Sequence, residues 1–354
     1  MNIRIHSNEI NRMMKTVSQC IDSKMGKFGN IEIAHEDNKL TIRGTNGTFY
    51  AETSCAVMGG DGEKFCVDGT MFGKVCALCN GEISIETDGR VCTVKGAGRT
   101  RIPIVECEIP ERERISGKVV RIAADAFSKG YGGVAYAVAT EQSRIVLTGV
   151  NIETGYDGMT MVGLDGFQMA TEKVPCSGDD VKAIVPGAFM KLLNGGIASG
   201  EMVTITFGDN QIQAETDGMM VCCGRLSGEY PDWKKILPGE FATESRVHVS
   251  QVRDALKSGA VINSESKLVK IRVDADEITV MSNSEAADYE AKVSCETQGD
   301  GLMIAFNQKY LMNTFASIDT EDAVMKFNSA VAPAVVVGMS GTGSRLVLPV
   351  RVQG

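Results

Sequence analysis

The chain has 354 residues, 43% of them hydrophobic and 23% charged, with 8 Pro against 39 Gly; that length suits two or three domains at ~100–200 residues each, and the composition excludes disordered and collagen-like classes. Asp and Glu outnumber Lys and Arg by 45 to 36, a net charge of −9. Bulk basicity is therefore excluded, and any nucleic-acid contact must come from a local patch.

Residues 1–14 lack the apolar core of a signal peptide, and no stretch reaches the ~18 apolar residues of a membrane span, so a cytoplasmic location is expected. Ile10, Met13, Met14, Val17 and Ile21 recur at three and four residues and predict an amphipathic helix over 8–21. Ile31–Ala34 and Leu40–Ile42 alternate around a turn at 36–38, and 48–56 supplies another strand. Asp68 is placed to cap a helix bearing Met71, Phe72, Val75 and Leu78, after which 82–85 and 91–94 flank a turn at 87–89. The order is helix, strands, helix, strands. Neither half can bury its apolar face alone, so an α+β unit of two helices packed on antiparallel sheets is expected.

That unit repeats. Leu40-Thr41-Ile42-Arg43-Gly44 aligns with Met159-Thr160-Met161-Val162-Gly163, and Ile278-Thr279-Val280-Met281-Ser282 opens a third copy; Val67-Asp68-Gly69, Val185-Pro186-Gly187 and Phe306-Asn307-Gln308 keep the same spacing of about 120 residues. Three domains follow, 1–117, 118–241 and 242–354. Further helices are expected at 68–80, 124–138, 186–199, 249–262 and 307–318. Together the six helices hold Arg12, Lys15, Lys74, Lys129, Lys191, Arg253, Lys257 and Lys309 against Glu9, Asp68, Asp125 and Asp254. The negative charge thus lies in strands and loops, and a side that gathers the helices would attract polyanions.

Motifs for catalysis are weak. Lys95-Gly96-Ala97-Gly98-Arg99-Thr100 lacks the Gly-Lys-Ser/Thr ending of a phosphate loop and reads as a turn. His6 and His248 occupy equivalent positions before helices and His35 is beside a turn, which favours structural roles. The 11 Cys sit mostly in apolar runs, so reduced, buried thiols are expected; Cys76 and Cys79 have redox or zinc spacing but no completing pair. A non-enzymatic chain without cofactor or metal is expected.

With these motifs placed, the sequence resembles the bacterial sliding clamps, the beta subunits of the replicative DNA polymerase, over essentially its whole length. The likeness is carried by Leu164-Asp165-Gly166-Phe167-Gln168-Met169-Ala170, by Gly228-Glu229-Tyr230-Pro231-Asp232-Trp233, by Ile304-Ala305-Phe306-Asn307-Gln308-Lys309-Tyr310 and by Leu346-Val347-Leu348-Pro349-Val350-Arg351. The resemblance implies clamp domains that close head to tail as a homodimer, a six-domain ring around double-stranded DNA bound without sequence specificity. Arg12, Lys15, Lys24, Lys74, Lys129, Lys191, Arg253, Lys257 and Lys309 would face the DNA. Lys95, Arg99 and Arg101 would face Glu285, Asp288 and Glu290 across the dimer interface.

It also implies a pocket for short hydrophobic peptides of the replicative polymerase, the clamp loader and repair proteins. Its walls would be Leu147, Leu164, Gly166, Phe167, Met169, Pro231, Ile236, Leu348, Pro349 and Val350, with Arg144, Gln168, Lys235, Asn307, Tyr310, Pro333 and Arg351 around them. Two large apolar side chains buried there yield ~3–6 kcal/mol before association costs, which suits exchange of partners. Leu164, Phe167 and Gln168 depart from the family's common Thr, His and Arg, and Lys235 replaces an Arg seen in some relatives, so a greasier, less cationic pocket is expected. Gln353 and Gly354 extend past the usual end and could alter entry. The rival reading is a triple-repeat docking adaptor that does not encircle DNA.

Overall fold

The structure is a computed structural model that describes residues 1–59, 62–96, 98–262 and 267–351. Its first third runs β1 (Asn2–His6), α1 (Ser7–Val17), β2 (Asn30–Glu36), β3 (Lys39–Thr45), β4 (Phe49–Ala56), β5 (Glu63–Asp68), α2 (Gly69–Ala77), β6 (Glu82–Thr87), β7 (Val91–Lys95) and β8 (Arg99–Pro103). The middle third repeats the string as β9 (Lys118–Ala123), α3 (Ala124–Val134), β10 (Gly149–Gly155), β11 (Gly158–Leu164), β12 (Gln168–Val174), the short β13 (Ser177–Gly178), β14 (Lys182–Pro186), α4 (Gly187–Gly196), β15 (Met202–Phe207), β16 (Gln211–Thr216) and β17 (Met219–Gly224). After the single turn α5 (Trp233–Ile236) come β18 (Thr243–His248), α6 (Val249–Ile262), β19 (Leu268–Val273), β20 (Glu277–Asn283), β21 (Asp288–Gln298), β22 (Leu302–Asn307), α7 (Gln308–Ala316), β23 (Asp322–Phe327), β24 (Ala334–Gly338) and β25 (Ser344–Val347).

The six expected helices form, and local chemistry starts them. His6 Nδ1 accepts from the Asn8 amide at 3.2 Å, Asp68 from Met71 at 2.6 Å, and Asn307 from Lys309 at 3.0 Å. Ile10, Met13, Met14 and Val17 of α1 are buried while Arg12 and Lys15 stay exposed. Several helices stop short of the periodic run: α4 ends at Gly196, where an added Cβ would lie 2.6 Å from Met219 Sδ and 2.7 Å from Thr16 Oγ1. Phe72, Phe127, Phe189, Phe306, Phe315 and Phe327 are fully buried, each contributing ~1.5–3 kcal/mol relative to exposure.

The chain divides into two compact units. Unit one comprises Met1–Phe127 and Cys176–Arg225. It holds an antiparallel sheet ordered β13-β9-β15-β16-β17-β4-β3-β2-β5 and a second ordered β1-β6-β7-β8. Unit two comprises Ser128–Pro175 and Leu226–Gly354, with strands ordered β10-β11-β12-β25-β24-β23-β18-β21-β20-β19-β22. The middle repeat is thereby shared between the units. In unit one its last strand β17 continues onto β4 of the first repeat, and in unit two its third long strand β12 continues onto β25 of the last.

One expectation is corrected. Cys66 and Cys107 form a disulfide, so the thiols are not uniformly reduced. The segment after β8 folds back along β5, with the Val105 amide donating to Cys66 O at 2.9 Å, and this sets the two Cα atoms 6.0 Å apart, within the span a disulfide bridges. Cys76 and Cys79 are free, and burial pushes the Cys76 thiol up to about 12. Glu111 of the same returning segment pairs with Arg43 at 3.0 Å, and Arg43 holds the fully buried Glu32 at 2.9 Å. Among the described residues no helix is long and apolar enough to cross a membrane.

Candidate functional site

The residues of the first motif, Leu164–Ala170, build a reverse turn between β11 and β12. Asp165 Oδ1 accepts from the Phe167 and Gln168 amides at 2.8 and 2.9 Å, and Gly166 adopts φ +96°, a conformation that favours glycine. The turn projects Phe167 outward, 58% exposed, where its ring stacks on Tyr310 with centroids 5.8 Å apart. Burial, with Asp165 and Glu141 nearby, pushes the Tyr310 phenol above its ordinary value, so that ring stays neutral. Gln168 points the other way and is buried; its Nε2 donates to Tyr136 O at 3.1 Å and Asp165 Oδ2 at 2.9 Å.

These residues enclose a cavity of about 490 Å³ within unit two. Of the expected pocket residues it gathers Arg144, Leu147, Gly166, Phe167, Gln168 and Tyr310. Leu164 and Met169 are instead buried core residues and do not line it. The lining is mixed: Glu141, Asp165, Arg144 and Lys309 stand beside Val138, Ala139 and Leu147. Period-two alternation could have flagged Met169 as inward-facing, but the expected helix over 124–138 ends at Val134, and 136–141 leaves it as irregular chain to form this wall.

The C-terminal segment is tied to the same turn. Leu348 N donates to Phe167 O at 2.9 Å, Val350 N to Ala305 O at 2.7 Å, and Pro349 bridges to Phe306. Leu348 and Pro349 are half-buried there, yet neither lines the cavity. Asn307 is engaged as the α7 cap, and Pro333 and the exposed Arg351 lie outside the lining. Pro231, Lys235 and Ile236 also lie outside it; Lys235 pairs with Asp232 at 2.9 Å. The turn α5 is anchored by Glu153, which takes Trp233 Nε1 at 3.2 Å and Lys234 at 3.1 Å. Burial alone would raise the Glu153 carboxyl, but hydrogen bonds from Lys234, Trp233 and Asn151 outweigh it and hold the group below the usual range. Gln353 and Gly354 lie outside the described residues.

The nine expected DNA-facing cations separate into two kinds. Lys15, Lys24, Lys74, Lys191 and Lys257 are exposed, with no ion pair among the described residues. Arg12 is shared by Glu9 and Glu201 at 3.2 and 3.7 Å, and Lys129 pairs with Asp319 at 3.0 Å. Arg253 turns back to cap α7, donating to Phe315 O at 2.8 Å and Ile318 O at 2.5 Å, and Lys309 lines the cavity. Arg253 thus commits its Nε and Nη2 donors to the carbonyls at the end of α7, while Lys309 stays exposed at the cavity.

Among the open strand edges of the described residues, two stand out as left over from the junctions within the units. β8 bonds only to β7, and Asp288–Ser294 of β21 bonds only to β20. Each repeat junction inside a unit joins the last strand of one repeat to the third long strand of another's first half, as β17 to β4 and β12 to β25. β8 and β21 are the remaining strand of each kind. The helices above them expose apolar ends, Leu78 at 82% and Val261 at 80%. Arg99, Arg101, Asp288 and Glu290 are exposed on these edges, Glu285 is exposed just before β21, and Lys95 is held by Glu86 at 2.6 Å. The Lys95–Thr100 run is the β7–β8 turn, as expected, with Ala97 outside the described residues.

Comparison with known proteins places two domain families on the chain: the DNA polymerase III beta subunit, central domain, over residues 121–232, and the DNA polymerase III beta subunit, C-terminal domain, over residues 234–351. A beta sliding clamp of Synechococcus elongatus is 21% identical over 374 aligned positions, covering 100% of both chains. One of Streptomyces coelicolor is 25% identical over 300 positions, covering 78% of this chain and 79% of that one. In fold, the DNA polymerase III beta subunit of Thermotoga maritima superposes with a TM-score of 0.91 at 19% identity, covering 99% of this chain and 100% of that one. The sliding clamp of Pseudomonas aeruginosa bound to griselimycin gives 0.91 at 20% identity, with 99% and 100% covered.

Proposed function

We propose, from the premise that this chain belongs to the DNA polymerase III beta subunit family, the bacterial sliding clamps, that it closes with a second copy into a ring and acts as a cytoplasmic processivity factor on duplex DNA. The ring would comprise six repeats, with boundaries at 1–117, 118–241 and 242–354 in each copy. No catalysis enters this reading. The work is tethering: a polymerase docked on a closed ring stays near its template because the ring cannot leave the duplex sideways.

The observation that carries the reading is the pair of vacant edges, β8 and β21. Pairing them between copies repeats the junction used within each unit, and it covers Leu78 and Val261, which bury far more favourably than they sit in water. The charged pairs along these edges contribute only ~0–1 kcal/mol each, so backbone bonds and apolar contact hold the dimer. Lys15, Lys24, Lys74, Lys191 and Lys257 supply a phosphate-directed, sequence-blind surface suited to sliding. The cavity lined by Phe167 and Tyr310 takes peptides of the polymerase, the clamp loader and repair proteins.

The test is mass and topology. Light scattering should give two chains for the native protein and one for Leu78→Asp with Val261→Asp. Loaded on a nicked circular plasmid, the protein should stay bound and then leave once the plasmid is linearised. A native mass of one chain, or retention on linear DNA, would overturn the ring and favour a docking adaptor.

A further inference from the structure

The chain between β8 and β9 is fastened as a strap to the larger sheet of unit one. Cys107 is bonded to Cys66 on β5, Glu111 pairs with Arg43 on β3 at 3.0 Å, and the Ile115 amide donates to Gln213 Oε1 on β16 at 3.0 Å. Between the two ends Ile109 packs with Tyr50 of β4 and Cys222 of β17, which face each other where the first repeat meets the middle one. All three are buried, so the strap covers that seam. The third repeat ties its returning segment by the same kind of backbone bond, Val350 N to Ala305 O at 2.7 Å, with Ala305 standing where the repeat spacing puts Cys66. That contact closes without sulfur, so the disulfide adds something the repeat does not require. The nine other cysteines are free, including the partly exposed Cys79, Cys176 and Cys295. A single disulfide in a thiol-rich chain is the pattern of a bond that forms and breaks in a reducing compartment, where lasting disulfides are rare. It is also within reach: both half-cystines line a surface cavity of about 660 Å³, and Cys107 is partly exposed.

We propose that the Cys66–Cys107 bond is a reversible latch, opened by a protein dithiol of the Cys-X-X-Cys class, and that its opening frees the strap from the β17–β4 seam. A thiolate of the reductant attacks Cys107 Sγ, the more exposed sulfur; a mixed disulfide forms, and Cys66 leaves as a thiolate that takes up a proton. The second thiolate of the reductant attacks the reductant's first sulfur, and Cys107 leaves and is protonated in turn. Two electrons and two protons have then passed to the chain, and the reductant holds the disulfide. What remains at this end of the strap is the Val105 amide on Cys66 O and the ion pair of the exposed Glu111 with Arg43, and a pair with one partner in solvent is a weak tie. Ile109 therefore leaves Tyr50 and Cys222. Burial holds the Cys222 thiol above its ordinary pKa, so uncovering it brings that value down and makes its thiolate available to reagents.

The experiment uses the full-length oxidised protein, with thioredoxin and its reductase as the dithiol probe. Peptide mapping should show the Cys66–Cys107 bond before treatment and two thiols after it. A pulse of N-ethylmaleimide should then label Cys222 about tenfold faster in the reduced protein than in the oxidised one. Backbone amides of 105–115 should exchange about tenfold faster as well, while the buried thiols Cys20, Cys76 and Cys92 keep their labelling rates. Cys107→Ser should label at Cys222 at the reduced rate with or without thioredoxin; should that variant fail to fold, the reduced native protein gives the reading by itself. A bond that a phosphine opens but thioredoxin leaves intact would overturn the proposal and make the disulfide purely structural. Equal Cys222 labelling in both redox states would overturn the latch, as would equal acceleration of every buried thiol, which is unfolding and not release of a strap.

Discussion

Glu172 and Arg345 form an ion pair of 2.5 Å with side chains 3% and 6% exposed, joining β12 to β25 across 173 residues of sequence. Thr342 adds a hydroxyl to Glu172, and Ser317 accepts from Arg345 Nε at 3.2 Å, so neither charge is left half-solvated. Gly133 packs against the pair, where a Cβ would stand 2.9 Å from Glu172 Oε2. Breaking one side of such a pair leaves a buried charge. Arg345→Met should therefore lower stability by ~3–5 kcal/mol, and adding Glu172→Met should restore part of it. Urea midpoints of the single and double variants check this, and a loss below ~1 kcal/mol in the single variant would refute the account.

Gly166 has open space around its missing Cβ but φ +96°. Gly166→Ala should thus cost ~1–3 kcal/mol through backbone conformation alone and should weaken peptide binding by moving Phe167. Denaturation and fluorescence anisotropy read the two effects. An alanine variant as stable as the native protein would mean that the turn relaxes freely.

The two kinds of cation give opposite expectations. Lys15→Glu with Lys257→Glu should leave melting unchanged while reducing the salt dependence of DNA binding, by ~0.9 in log–log slope for each lost phosphate contact. Arg253→Ala should instead destabilise the protein by ~1–2 kcal/mol, through the uncapped carbonyls of Phe315 and Ile318, with the slope unchanged. The reverse pattern would return Arg253 to the DNA surface.

Trp233 is the one tryptophan of the chain, and it reports on α5. Glu153 anchors it with a carboxyl held below its ordinary pKa, so the anchor is fully present above the ordinary carboxylate range and is lost as pH falls through the lowered value. Tryptophan emission should be flat from neutral pH to the ordinary Glu range and shift only below it. Glu153→Gln should abolish that acid transition, and its persistence in the variant would assign it elsewhere.

Periodicity located all six long helices and most strands because each buries one face, and Ile10, Met13, Met14 and Val17 or Ile31 and Ile33 write that burial into their spacing. Caps at Asp68 and Asn307 are equally local. Of the cavity, the family resemblance supplied Arg144, Leu147, Gly166, Phe167, Gln168 and Tyr310. Its other wall, Tyr136 to Glu141, comes from an irregular segment with no period, and the fate of Arg253 hung on which carbonyls α7 left open beside it.

The sequence by itself determined the repeated unit and the scarcity of Asp and Glu on the helices, since both follow from short-range pattern and composition. Tertiary structure alone decided that Cys66 meets Cys107, that Glu172 meets Arg345, and that Gln168 Oε1 ends without a partner. Those outcomes depend on which strands lie side by side, and a pairing between residues 41 or 173 positions apart leaves no trace in local spacing.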